Sequence, residues 1–120
     1  MSGPSKEWDG DLVRTWLERR FEAAKLDQAA ADKRGYEARD DYDKAAAEEW
    51  VCRVLKTAGR TDDQAGLAAQ LKELLAQDEY RTTSIHDDRR FDRYVRANLR
   101  KLAKMTKANE GFANTLRYQG

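Results

Sequence analysis

The sequence predicts an all-α protein, a compact bundle of four to five helices with a long basic amphipathic helix near the C-terminus. Alanine, leucine, glutamate, lysine, arginine and glutamine, which favour helices, make up more than half of the 120 residues. Proline occurs once, at Pro4, and apolar residues recur at helical spacing without the alternation of a strand. We expect one domain over residues 1–120, with residues 1–7 as a flexible tail.

The composition indicates a small apolar core. Apolar residues make up 40% of the chain, but 18 of them are alanine. Such a small share of large aliphatic side chains would indicate disorder in a highly charged chain, whereas the net charge here is only +1. We therefore expect a folded helical chain in which a partner or a second copy completes part of the apolar surface.

The first two helices are predicted on either side of Gly35. Apolar residues from Trp8 to Lys33 form one broad face, and those from Tyr36 to Ala58 follow a second helical pattern that Gly59 closes. Gly35 is predicted to cap the first helix. A single long helix through Gly35 is the alternative, because a glycine within a helix costs only about 1 kcal/mol.

A capping box is predicted at the start of the third helix. Thr61 would be the N-cap and Gln64, three residues later, would reach back to it. The helix is expected to end near Gln77. Its core-facing side chains are predicted to be four leucines, Leu67, Leu71, Leu74 and Leu75.

The fourth helix is predicted from Ser84, in a second capping box that ends at Asp87, to about Asn109. At about 100° per residue, its apolar side chains fall on one line and its cations on the opposite side. A short further helix is expected around Phe112 and Leu116. The cations of the basic stripe are Arg89, Arg93, Arg96, Arg100, Lys104 and Lys107.

Three interpretations of this basic stripe are open. It could be a solvated face, partly neutralised within the fold by residues 61–80, which hold one basic and five acidic residues. It could contact an acidic surface of a protein partner. It could also follow a phosphate backbone over about 27 Å. The near-neutral charge and the lack of aromatic residues within the stripe disfavour nucleic acid.

Two residues are candidate interface anchors. Trp8 lies close to the tail and is expected to be exposed, and tryptophan is enriched at binding hot spots. Asn98 falls on the apolar stripe of the fourth helix, where a buried asparagine can fix the register of paired helices. That stripe alternates spacings of four and three, so it predicts a helix pair within the chain or in a homodimer.

Catalytic and metal-binding classes find little support. The chain has one histidine, His86, and one cysteine, Cys52, which is expected to be buried. The aspartates from Asp40 to Asp43 lack the remaining ligands of a calcium loop, so we expect a solvated helix face. Asp40 and Asp43 share that face, and an acidic patch that they form with Glu37 for a basic partner is the minor alternative. We expect no metal site, no cofactor and no enzymatic activity.

The expected function is that of a non-enzymatic protein-interaction module. Short, alanine-rich, charge-dense helical chains are common among accessory proteins, including those of phages and mobile elements that bind and block a host protein. A nucleic-acid-handling complex is one such host target, and direct, sequence-tolerant nucleic-acid binding is the alternative. The sequence has no signal-peptide or membrane-spanning segment, so we expect a cytoplasmic protein without membrane contact.

Overall fold

A computed structural model shows that the chain forms an all-α bundle, as predicted. It describes residues 8–78, 80, 88–108 and 110–119. A 3₁₀ turn at Gly35–Ala38 separates the first two helices, and the described residues form no strand. The α-helices are α1 (Gly10–Arg34), α2 (Arg39–Ala58), α3 (Gln64–Leu75), α4 (Asp88–Ala108) and α5 (Glu110–Gln119).

Helices α1 and α2 form an antiparallel hairpin that breaks at Gly35. Gly35 adopts φ +82°, and its N–H donates to carbonyls in the last turn of α1. The predicted cap is therefore confirmed and the single long helix is wrong. The second helix begins at Arg39 instead of Tyr36, because residues 35–38 form the turn. Small side chains let the two helices approach closely, and the buried ones are Ala24, Ala31, Ala38, Ala45 and Ala47.

The N-cap of α3 is Asp63, whose carboxylate accepts a hydrogen bond from the Ala65 N–H at 3.2 Å. The predicted cap at Thr61 is wrong, because tertiary contacts use this residue. Thr61 is buried, its carbonyl accepts from the Trp8 indole at 2.7 Å, and its hydroxyl accepts from Arg14 at 3.2 Å.

The rest of α3 packs on α4, and its buried face is close to the predicted one. Gln64 does not close a capping box, since its side-chain amide donates to the Thr106 carbonyl at 2.7 Å and so joins α3 to α4. The helix ends at Leu75, two residues before the predicted Gln77. Three of the predicted leucines are buried and Leu75 is half-buried; the buried ones are Leu67, Leu71 and Leu74.

Helix α4 supplies the centre of the core. Leu99 is fully buried, whereas Asn98, which was predicted on the apolar line, is only half-buried. The predicted box from Ser84 to Asp87 and the predicted helix end at Asn109 lie outside the described residues. The other apolar residues of α4 that are buried are Phe91, Val95, Leu102 and Met105.

The short helix predicted after α4 is present as α5. Phe112 is fully buried, and its ring meets those of Trp8 and Trp16 edge to face, with centroids 5.8 and 5.6 Å apart. Gly111 lies within α5, where an added Cβ would come 3.0 Å from the Cα of Met105. The close approach of α5 to the end of α4 therefore favours glycine at this position, since a larger residue would push the two helices apart by a few tenths of an ångström.

Candidate interaction surface

Helix α2 holds one edge of α4 through charged side chains. Arg90, whose side chain is 18% exposed, pairs with Asp43 at 2.7 Å and approaches Asp40 at 3.7 Å. Tyr94 donates its hydroxyl to Asp40 at 2.7 Å, and this hydrogen bond raises the pKa of Tyr94. The prediction that Asp43 is solvated is wrong, since the residue is 1% exposed and its burial is offset by the ion pair with α4.

Helix α3 holds the opposite edge through Arg96. The Arg96 guanidinium pairs with Asp92 at 3.0 Å, which raises the pKa of Arg96, and lies 4.9 Å from the centre of the Tyr80 ring. It also donates to three carbonyl groups at the C-terminal end of α3, where the helix dipole is negative. These carbonyls belong to Leu75, Gln77 and Asp78.

Several groups neutralise part of α4 within the fold. Among the described residues, Asp40 and Asp43 of α2 place their carboxylates beside Arg90 of α4. Within the described part of residues 61–80, Arg96 meets backbone carbonyls and the Tyr80 ring, and the charge of Asp78 favours it as well. Glu73 lies 3.8 Å from Arg60 instead. Arg96, one cation of the predicted basic stripe, is thus held within the fold, chiefly by Asp92 and the end of α3 and in part by Asp78 of the predicted acidic segment.

The outward side of α4 carries a row of exposed cations. We define the α4 basic face as Arg93, Ala97, Arg100, Lys104 and Lys107, all of which are exposed. The sequence has no carboxylate from Arg93 to Ala108. In the ranges that the structure describes, the four cations of this face form no ion pair. From Arg93 to Lys107 the face extends for about 21 Å along the helix.

The remaining predicted site residues lie apart from this face or at its end. Arg89 is exposed one turn before Arg93. Asn98 is half-buried and donates its side-chain amide to the Tyr94 carbonyl at 2.9 Å. Trp8 is also half-buried, and the prediction that it is exposed is wrong because its ring packs against the core and its indole N–H is bonded.

Sequence inspection did not single out Arg90, Tyr94 or Ala97. Arg90 and Tyr94 hold the edge next to α2, and Ala97 lies in the middle of the exposed row. The helical wheel places Arg90 and Ala97 beside the basic stripe, which is the signal that could have identified them. The helical wheel does not show that α2 covers one edge of α4 and α3 the other.

The structure also bears on covalent and metal chemistry. Burial raises the pKa of the Cys52 thiol to about 12, so the thiol is not a nucleophile near neutral pH. Among the described residues, no group of three or more histidine, cysteine, aspartate or glutamate side chains is arranged to hold a metal. His86 lies outside those residues.

A groove lies between α1 and the end of α2. It encloses about 490 Å³ and is lined by Arg14, Arg19, Lys56 and the turn at Gly59. Two of its cations already have partners: Lys56 pairs with Glu18 at 2.6 Å, and Arg14 bonds to carboxylates. Both cations are therefore paired within the fold.

Comparison with known proteins gives no independent indication of function. No protein-family model, curated protein or solved structure matches the chain. No helix in the described ranges has both the length and the apolar content needed to cross a membrane. The α4 basic face is therefore the feature from which a function is inferred.

Proposed function

We propose that the protein is a non-enzymatic interaction module that docks an acidic surface of a partner protein on the α4 basic face. The observation that supports this is a contrast within one helix. Arg90 and Arg96 have carboxylate partners in the fold, whereas Arg93, Arg100, Lys104 and Lys107 point outward without any among the described residues. A row of like charges without carboxylate partners among the described residues is suited to an acidic partner.

The contacts of α4 with α2 and α3 pre-organise this face for binding. The ion pair of Arg90 with Asp43 fixes α4 against α2, and the bonds of Arg96 fix it against α3. Because the helix is already held in place, docking would order mainly the ends of the long cationic side chains. Pre-organisation of this kind lowers the entropic cost of binding.

A protein partner is favoured over nucleic acid by the charges around the face. The whole chain has a net charge of only +1, and the exposed Asp40 lies on the α2 edge of α4. Near the row, Phe91 is buried, and the Tyr94 ring is half-buried with the Arg93 guanidinium 5.8 Å from its centre, which disfavours stacking of a base on either ring. A phosphate backbone would be repelled by the Asp40 carboxylate, whereas a protein surface can present both negative and positive charges.

A small accessory or inhibitor protein would work in this way, by occupying the surface of its partner. A phage- or mobile-element-type protein that acts on a host complex is one example of that class. Nucleic-acid binding through the same cations is the competing function.

Titration of fluorescent polyglutamate and of a labelled duplex of about 30 base pairs, each at two salt concentrations, tests the proposal. The wild type is compared with the triple variant Arg93→Glu, Arg100→Glu, Lys104→Glu, which reverses the face and leaves Arg96 intact. The matched control has the same change in charge at exposed positions of α1, α2 and α3: Arg19→Glu, Lys44→Glu, Lys72→Glu.

We expect the wild type and the control to bind polyglutamate more tightly than the duplex, and the triple variant to lose at least about 90% of the affinity, since each lost contact is worth a fraction of a kcal/mol or more. Tighter binding of the duplex, with a salt slope equivalent to three or more phosphates, would overturn the proposal in favour of nucleic acid. Failure to bind either ligand would show that the face is simply solvated.

A further inference from the structure

The spacing of the cations restricts the kind of acidic element that fits the face. Arg93, Arg100 and Lys107 are separated by seven residues each, and Lys104 lies between the last two. Residues seven apart lie about 10.5 Å apart along the axis and nearly on one line, with a drift of only about 20° per seven residues. The cations therefore have the seven-residue spacing that is found where two helices pack side by side in a coiled coil.

We propose that the element docking on the α4 basic face is an acidic α-helix with carboxylates at seven-residue intervals. This inference rests on the proposed function and adds the secondary structure and the charge spacing of the partner. A helix laid along α4 has the same 10.5 Å repeat, so each of its carboxylates can meet one of the three aligned cations.

Other acidic ligands match this repeat less well. An extended chain advances about 3.3 Å per residue, so side chains on one face recur about every 6.6 Å. Phosphates of duplex DNA are about 3.4 Å apart per strand along its axis. The extended chain does not repeat in step with Arg93, Arg100 and Lys107. Three phosphate steps of the duplex span a similar distance, but over them the strand winds about 100° around its axis and leaves the line of the cations.

Ala97 supplies a second, independent feature. It is exposed and lies within one or two helical turns of Arg93, Arg100 and Lys104 on the same surface. Because its methyl group is much shorter than the arginine and lysine side chains around it, a side chain from a facing helix has room to pack there, as in the holes of a coiled coil. An acidic chain that binds by charge alone would not need this room.

Two synthetic peptides of about 21 residues test the inference. One has glutamate at two positions of each heptad so that the acids form a stripe, and the other has the same composition with the acids distributed around the helix. Both are titrated, beside polyglutamate, against the wild type, Ala97→Phe and the control Ala68→Phe, which adds the same side chain at an exposed position of α3. Circular dichroism confirms that the variants are folded.

We expect the striped peptide to bind the wild type at least about tenfold more tightly than the distributed peptide, as better-placed charge pairs would give. Ala97→Phe should weaken the striped peptide by about tenfold and change polyglutamate by less than about twofold, whereas Ala68→Phe should change neither. Equal binding of the two peptides, or no effect of Ala97→Phe, would overturn the inference of a helical partner. The docking proposal would still stand if the wild type bound polyglutamate. If the wild type bound neither peptide nor polyglutamate, both the helix inference and the docking proposal would be rejected.

Discussion

Arg93 and Arg96 show how the fold assigns different roles to the same kind of residue. Both belong to the predicted basic stripe, but Arg96 reaches the carbonyls at the end of α3 whereas Arg93 remains exposed. Their angular positions on the helix differ by only about 60°. The sequence could predict the stripe, because charge periodicity is local. It could not predict which arginine meets α3, because that depends on where α3 ends in space.

Asp43 is a second residue whose role depends on tertiary structure. In the sequence it is one of three aspartates within four positions, and nothing there distinguishes it from Asp40 or Asp41. The crossing of α4 over α2 places Arg90 beside it and buries the pair. Because a buried carboxylate without a partner is costly, burial and pairing arise together from the packing.

Cys52 provides a prediction at the residue scale. With the thiol pKa raised from 9.0 to about 12, the thiolate fraction at pH 8 falls by about a thousandfold, and alkylation by iodoacetamide should slow at least as much. The folded state should lose stability as the pH rises from about 9 to 12, because in this range the thiol ionises readily in the unfolded chain but stays protonated in the folded one. Mass spectrometry of alkylation with and without urea measures the difference; rapid labelling of the folded protein would contradict the burial.

The helices themselves follow from the sequence to within a few residues. Apolar periodicity located α1, α2, α3 and the short α5, because a helix buries one face whatever its neighbour is. The end of a helix is less well determined. At the start of α3, Thr61, Asp62 and Asp63 are all good N-cap residues, and the contacts of Thr61 with Trp8 and Arg14 leave Asp63 as the cap.

Gly35 gives a prediction at the scale of the element. Its backbone, at φ +82° and ψ −154°, lies in a region that is almost restricted to glycine. No neighbouring atom lies within 4 Å of an added Cβ, so a substitution tests the backbone conformation alone. We expect Gly35→Asn to lower the free energy of unfolding by about 1–3 kcal/mol, measured by urea denaturation.

The control for this variant is Gly59→Asn. Gly59 ends α2 at φ +66° and ψ 29°, a left-handed conformation that asparagine tolerates. The control should therefore cost less than Gly35→Asn. If Gly35→Asn is neutral or stabilising, the break between α1 and α2 is not required and one continuous helix is favoured.

At the scale of the molecule, an almost neutral chain presents a basic surface. The contacts of α4 with α2 and α3 pair the cations at its edges and leave those at its centre exposed. Net charge alone would not indicate a binding surface, since it sums acids and bases that lie on different faces. The docking proposal therefore depends on the arrangement of the helices as much as on the sequence of α4.

The most direct test of that proposal is an NMR titration of the ¹⁵N-labelled wild-type protein with the striped acidic peptide. Chemical-shift changes locate the bound ligand without any mutation. We predict that the largest shifts occur at the amides of Arg93, Ala97, Arg100, Lys104 and Lys107 and decrease as salt increases, because exposed charge pairs are screened. Shifts concentrated on the outer surfaces of α1 and α2, with α4 unchanged, would contradict the account.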